Sequence, residues 1–197
     1  MYSASRAGIG WLWKSGLTRT VILTGTGLTF CTLVWESVLV LVALGPLSLS
    51  AKWYGVILAC GSVFGIICAM VTPKLADRFE RRPLQIGALV ISGASVLLLA
   101  AVPSPLTLAL SWGCAGATFS IWNVLSLTLR QRVVPSGMLA RVNSANRSLS
   151  FAAIPLGTLC GGLISQIGGV VAPVWVAGIA LTVLASIFAL FTADSKP

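Results

Sequence analysis

The sequence contains no histidine and only four acidic residues among 197. The lack of histidine excludes serine–histidine catalysis and imidazole metal ligation. An intramembrane aspartyl protease needs two aspartates within its apolar segments, whereas Asp77 and Asp194 both lie outside them. These residue types therefore predict that the protein is not an enzyme, and that it has no catalytic, cofactor-binding or metal-binding residues.

Cysteine is present, but never in the CxxC spacing of redox and metal sites. All five cysteines stand inside apolar runs, and they are Cys31, Cys60, Cys68, Cys114 and Cys160. Buried free cysteines behave as small hydrophobic side chains. Their distribution favours helix packing over a metal or redox role.

Charge is also scarce, since 9% of the residues are charged and 57% are hydrophobic, although the formal net charge is +9. A nucleic-acid-binding domain would interleave its basic residues with polar ones over one face. Here they stand in a few clusters between apolar stretches, which excludes nucleic acid as a partner. Several stretches reach the roughly 20 apolar residues that a helix needs to cross a bilayer. The sequence predicts an integral membrane protein in contact with a lipid bilayer.

Six apolar segments predict an all-α fold, a membrane bundle of six transmembrane helices. The predicted spans are 20–44, 53–72, 84–102, 106–129, 148–167 and 170–192. Residues 1–19 precede them as a cytoplasmic segment, in which Trp11 and Trp13 flank Leu12 beside Lys14. This composition suits either a short interfacial helix or a frayed tail with anchoring tryptophans. Residues 193–197 form a cytoplasmic tail.

Basic residues predict the orientation, because lysine and arginine concentrate in cytoplasmic loops. Twelve of the thirteen precede the first predicted span or follow the second, the fourth or the sixth, which places them on one side of the membrane. Lys52 alone falls on the other side. Both termini are therefore predicted to be cytoplasmic.

Glu36 is the only acidic residue inside a predicted span. An ionised side chain at the bilayer centre costs on the order of 3 kcal/mol or more, so Glu36 is expected to face a cavity, pair with a partner or stay protonated. In a cavity it is a candidate proton-coupling residue. The alternative is a side chain that reaches the outer interface near Lys52. Trp35, Trp122 and Asn123 are candidates for the same cavity, although tryptophans near interfaces also face lipid.

Small residues recur at intervals of four, the spacing that lines one helix face. Gly61 and Gly65 follow this pattern in the second span, and Gly157 and Gly161 follow it in the fifth. Such faces allow helices to pack closely in lipid. Pro155 removes a backbone donor from the fifth span and is expected to bend it.

The polar stretch PKLADRFERR, residues 73–82, resembles a pattern of the major facilitator superfamily of secondary transporters. The pattern is G-x-L-x-D-R-x-G-R-R. The matching residues are Leu75, Asp77, Arg78, Arg81 and Arg82, and Pro73 and Glu80 replace its two glycines. The resemblance implies that the aspartate and the three arginines belong to a cytoplasmic gate. For Arg81 and Arg82 the alternative is an anchor to lipid phosphates.

A second stretch begins at Leu129 and resembles a bacterial efflux group of that superfamily, the group that includes the enterobactin exporter. The group's pattern has R-Q, V-P, G-R-V, P-x-G and G-G. The matching residues are Arg130, Gln131, Val134, Pro135, Arg141, Val142, Pro155, Gly157, Gly161 and Gly162, and Ala140 replaces a glycine. The resemblance adds Arg130, Gln131 and Arg141 to the candidate gate and implies the bacterial cytoplasmic (inner) membrane.

The resemblance covers nearly the whole chain, but it matches only the carboxyl-terminal half of a twelve-helix transporter. It implies efflux of a small amphipathic solute by proton antiport, with no cofactor. Superfamily transporters hold the substrate between two six-helix halves, so the chain would need a second half or a homodimer. The alternative is a non-transporting membrane protein, either a truncated remnant or a regulatory partner of a full transporter.

Overall fold

The computed structural model describes residues 16–192. Within that range the helix bounds are α1 Gly16–Glu36, α2 Leu39–Leu44, α3 Ala51–Arg78, α4 Arg81–Ala101, α5 Pro105–Val133, α6 Ser136–Gly168 and α7 Ala172–Phe191. With α1 and α2 taken together, six helical stretches are long and apolar enough to cross a membrane. The predicted all-α fold of six spans is confirmed. The proposed interfacial helix around Trp11 lies outside the described residues.

Proline and serine fix the short connection between α4 and α5. Pro105 takes the first helical position of α5, where a missing N–H removes no helical hydrogen bond. The hydroxyl of Ser104 accepts a hydrogen bond from the Thr107 backbone N–H at 3.2 Å, and the Thr107 hydroxyl accepts one from the Ser104 N–H at 3.0 Å. This reciprocal capping satisfies two backbone donors that the helix start would otherwise leave unpaired.

The polar stretch 73–82 is mostly helical, which corrects the prediction that it is a loop. α3 continues through Pro73 to Arg78, and α4 begins at Arg81. The Phe79 N–H still donates to a carbonyl of α3 at 2.8 Å. A drop in hydropathy marks where a helix leaves the bilayer, but it does not mark where the helix ends. Leucine, lysine and arginine are good helix formers in water, so the helix continues beyond the bilayer. The connection between the second and third spans is therefore only two residues long.

The next basic stretch, residues 130–147, is also mostly helical. Val134 is extended (φ −87°, ψ 128°) because it precedes Pro135, and a residue before proline avoids the helical region. Helix α6 starts immediately afterwards at Ser136. Arg141 and Arg147 therefore lie on α6 and not in a loop.

The predicted first span is interrupted, since α1 ends at Glu36 and α2 begins only at Leu39. At the interruption the Val38 N–H donates to the Trp35 carbonyl at 3.2 Å, one residue short of the α-helical partner. The Ser37 hydroxyl donates instead to the Val34 carbonyl at 2.9 Å. The first span, Gly16–Leu44, therefore consists of two helices, and Glu36 occupies the end of the first of them.

The helices pack in the order α3, α5, α4, α7, α1, α6, with α1 also touching α5. Helices α3 and α6 lie at the two ends of this order. In the most apolar 18-residue stretch of each of these two helices only 17% of the residues are buried, against 50% in the corresponding stretch of α1 and α2. One face of the bundle, formed by α3, α5, α1 and α6, is therefore left without a covering layer of helices from residues 16–192.

Arg82 joins the start of α4 to the end of α7. Its Nε donates to the Thr192 hydroxyl at 2.9 Å, and its Nη2 donates to the Ala189 carbonyl at 2.8 Å. A cation near a helix C-terminus is stabilised by the exposed carbonyls and the helix dipole. Arg82 thus has a helix-to-helix contact that neither the gate nor the lipid-anchor interpretation included.

Glycines bring α6 against the backbone of α1. A Cβ atom at Gly157 would lie 2.7 Å from the Phe30 carbonyl oxygen. A Cβ atom at Gly161 would overlap the Val34 carbonyl oxygen and the Ser37 hydroxyl. The close crossing therefore coincides with the interruption between α1 and α2.

We expect Gly161→Ala to destabilise the protein, because the added methyl group must displace the backbone of α1. Overpacking of this kind costs about 1–3 kcal/mol, and a lower melting temperature of the full chain in mild detergent measures it. Gly162→Ala is the matched control, because no atom lies within 4 Å of the Cβ it would add. Equal melting temperatures for the two variants would contradict the close α1–α6 crossing.

Candidate functional site

Two adjoining cavities open on the uncovered face of the bundle. The Glu36 cavity, of about 290 Å³, is lined by Glu36 together with residues of α1, α3, α5 and α6. The Arg130 cavity, of about 390 Å³, is lined by Arg130 and residues of α1, α5 and α6. Both walls include Thr29, Phe119 and Ile154. The two cavities therefore form neighbouring parts of one recess.

Glu36 enters its cavity from the last turn of α1 and is half-buried. The wall around it is mostly apolar. Two hydroxyl groups of this wall donate to carbonyls of their own helices, Thr29 to Gly25 at 3.0 Å and Ser62 to Leu58 at 2.9 Å. The Tyr54 phenol is near enough to interact electrostatically with Glu36. No basic side chain is among the described residues that line this cavity.

Trp35 does not line either cavity. Its ring is fully buried and packs edge to face on Trp112, with ring centroids 6.0 Å apart at 76°. Trp112 is the tryptophan that faces the Glu36 cavity, and its indole N–H donates to the Leu58 carbonyl at 3.1 Å. Sequence reasoning missed Trp112, although Gly61, across from it on α3, leaves the space that its ring fills.

Trp122 and Asn123 line the Arg130 cavity and not the cavity of Glu36. Trp122 is buried on its other side against Phe188, with ring centroids 5.1 Å apart. The Asn123 amide donates to the Phe119 carbonyl at 2.9 Å. The structure therefore divides the residues predicted for one cavity between two adjoining ones.

Arg130 lies deep in the wall of its cavity and is only 6% exposed. Its Nε donates to the Asn143 side-chain oxygen at 2.9 Å, and its Nη1 donates to the Ser126 hydroxyl at 2.7 Å. Arg147 lines the same cavity with its guanidinium 5.1 Å from the centre of the Phe151 ring. Arg130 is thus a cavity residue on α5, not a loop residue.

The other gate candidates lie near helix ends. Asp77 and Arg78 occupy the last turn of α3 and are exposed. Arg81 opens α4, is half-buried, and lies within electrostatic reach of Asp77 and Arg132. Gln131 and Arg141 are exposed on α5 and α6. The gate role of these residues stays a prediction.

Sequence reasoning also missed the polar face of α6. The side chains of Asn143, Asn146, Arg147 and Ser150 all line the Arg130 cavity. Their spacing of three, four and seven residues is the pattern of one helix face. The signal was present in the sequence, but it is invisible when this stretch is taken for a loop.

Six helices long and apolar enough to cross a membrane define a multi-pass membrane protein, and one face of the bundle has a recess lined by an acid and two arginines. A family model described as Major Facilitator Superfamily matches residues 21–197. The chain belongs to this superfamily, whose members are membrane transporters and not enzymes. A comparison with curated proteins found no match.

Proposed function

We propose that the chain is one six-helix half of an efflux transporter that exports a small amphipathic solute in exchange for protons. The observation that carries this proposal is the recess on the α3, α5, α1 and α6 face, where mostly apolar walls surround a half-buried acid. Superfamily transporters hold their substrates between two such bundles. In a bacterial cell the protein would act in the cytoplasmic membrane.

A second bundle is proposed to cover the recess. Lipid offers no hydrogen bonds to polar groups, yet the recess presents the half-buried Glu36 and the exposed Asn123 and Arg147 on an uncovered face. The edge helices α3 and α6, which are the least buried, flank it. A six-helix partner, either a second polypeptide or a second copy of this chain, would remove these side chains from lipid.

We expect little export from this chain alone and energy-dependent export when an amino-terminal six-helix half is supplied. The measurement is dye accumulation in cells that lack their own exporters, with a protonophore as the energy control. Strong export by a cross-linkable homodimer would refute the need for a different half while sustaining transport. Absence of export under both conditions would favour the non-transporting alternative.

Glu36 is the proposed proton-coupling residue. It stands beside an interruption in the first span, so its carboxyl group sits where the helix backbone already departs from regular geometry. The surrounding wall disfavours a permanent charge, because ionised side chains are poorly solvated there. Proton binding and release at this carboxyl group would therefore change the electrostatics of the recess.

We expect Glu36→Gln to preserve membrane expression but to reduce export to the level seen without a proton gradient, because glutamine keeps the shape and cannot titrate. Export by proteoliposomes containing the complete transporter, followed across a pH series, tests this. Glu80→Gln is the matched control, since Glu80 is exposed at the α3–α4 connection. An unchanged pH series in Glu36→Gln would leave Glu36 a structural role only.

Both termini are proposed to be cytoplasmic. Among the described basic residues, Lys52 lies in the first turn of α3, whereas each of the others lies in the part of its helix nearer the opposite side of the bundle. We expect topology reporters fused after Leu47, Pro103 and Gly169 to be exterior, and one fused after Glu80 to be interior. Interior signals from two of the first three fusions would overturn this orientation.

Asp77 and Arg78 are proposed to help close the cytoplasmic side, with Arg81 as the nearby electrostatic partner of Asp77. If so, Asp77→Asn should favour the inward-open state and increase labelling of a cysteine introduced at Asn123 in a cysteine-free background. Glu80→Gln should leave labelling unchanged. Equal labelling of Asp77→Asn and the parent protein would reduce this region to a membrane anchor.

A further inference from the structure

The Arg130 cavity contains more positive charge than its walls neutralise. Arg130 and Arg147 both line it, and no acidic side chain is among the described residues of its wall. Arg130 is only 6% exposed, and burial of an arginine without a counter-charge costs free energy. Within residues 16–192 the fold therefore places a positive charge without an acidic partner inside a recess.

The hydrogen bonds of Arg130 orient it without saturating it. A guanidinium group has five N–H donors, and only Nε and Nη1 donate within residues 16–192, to Asn143 and Ser126. These two partners are neutral, so they hold the group in place and leave its charge intact. The remaining donors are available to a ligand that enters the cavity.

The other walls suit a ligand with an apolar body. Trp122, Phe119 and Phe151 contribute aromatic surface, and the Arg147 guanidinium lies over the Phe151 ring. The volume of about 390 Å³ falls in the range typical of small-molecule sites, roughly 300–1,000 Å³. Charge and apolar surface thus occur side by side.

We propose that the Arg130 cavity binds the anionic group of an amphipathic solute, a carboxylate, sulfonate or phosphate, while its aromatic wall contacts the apolar body. Arg130 and Arg147 supply the charge-assisted hydrogen bonds. That this solute is the exported substrate rests on the proposed function. An anionic lipid headgroup offers the same chemistry, so the experiment separates the two sources.

The experiment uses the full chain in phosphatidylcholine nanodiscs and two fluorescent probes that share one aromatic body. The probe 8-anilinonaphthalene-1-sulfonate carries an anionic group, and N-phenyl-1-naphthylamine lacks it. Signals from empty nanodiscs are subtracted. Arg132→Gln is the matched control variant, because Arg132 is exposed near the end of the same helix and lies outside the cavity wall.

We expect Arg130→Gln to weaken binding of the sulfonate by about tenfold or more and to change binding of the neutral probe by less than about twofold. Arg132→Gln should change neither. If Arg130→Gln weakens binding of both probes, the cavity has collapsed, and Arg147→Gln is then the deciding variant. Weaker binding of the sulfonate alone by Arg147→Gln supports the proposal. Sulfonate binding by Arg147→Gln that equals that of the parent protein overturns it. Sulfonate binding that is unaffected in Arg130→Gln also overturns it.

Replacing part of the phosphatidylcholine with phosphatidylglycerol identifies the source of the anion. Unchanged sulfonate affinity supports a solute site. If phosphatidylglycerol competes with the sulfonate and this competition disappears in Arg147→Gln, the site binds a lipid headgroup and the proposal of a solute is overturned. Binding is measured without transport. Selective sulfonate binding without export would count against the proposed function alone, and export without selective binding would count against this inference alone.

Discussion

Lipid cannot hydrogen-bond to polar groups, and this constraint organises the whole bundle. Many hydroxyl groups within residues 16–192 donate to a carbonyl one turn earlier in their own helix, as Thr72 does to Cys68 at 2.6 Å and Thr182 does to Gly178 at 2.9 Å. Arg130 does not, since it donates to the side chains of Asn143 and Ser126. Glu36, Arg130 and the polar residues of α6 are instead gathered on one face, so the same constraint that stabilises the helices also creates the recess.

The interruption of the first span links the packing of α6 on α1 to the position of Glu36. Close approach of α6 at Gly161 places its backbone against Val34 and Ser37, and the Ser37 hydroxyl satisfies the carbonyl that the interruption leaves without its helical partner. Because these contacts fix the end of α1, they also fix the backbone position of Glu36. A larger residue at Gly161 would therefore disturb both helix packing and the position of the acid.

Hydropathy and spacing predicted the helical fold and the six spans, because burial in lipid leaves a long apolar signal. They could not predict where helices end outside the bilayer, and this error hid the polar face of α6. Trp35 illustrates a different limit. Its position beside Glu36 suggested a cavity residue, but neighbouring residues on a helix point in directions about 100° apart, so one faces the recess and the other the core.

An arginine near the end of a span can set the orientation of the protein or bind a ligand, and composition cannot separate these two roles. Arg132 and Arg141 are exposed, as expected of residues that set orientation or meet lipid phosphates. Arg130 has the same residue type and nearly the same position in the chain, yet it is almost wholly buried and held by neutral partners. An orienting charge gains nothing from burial, whereas a binding charge gains strength when water is excluded. Its burial therefore favours the proposed ligand-binding role of Arg130 over an orienting one.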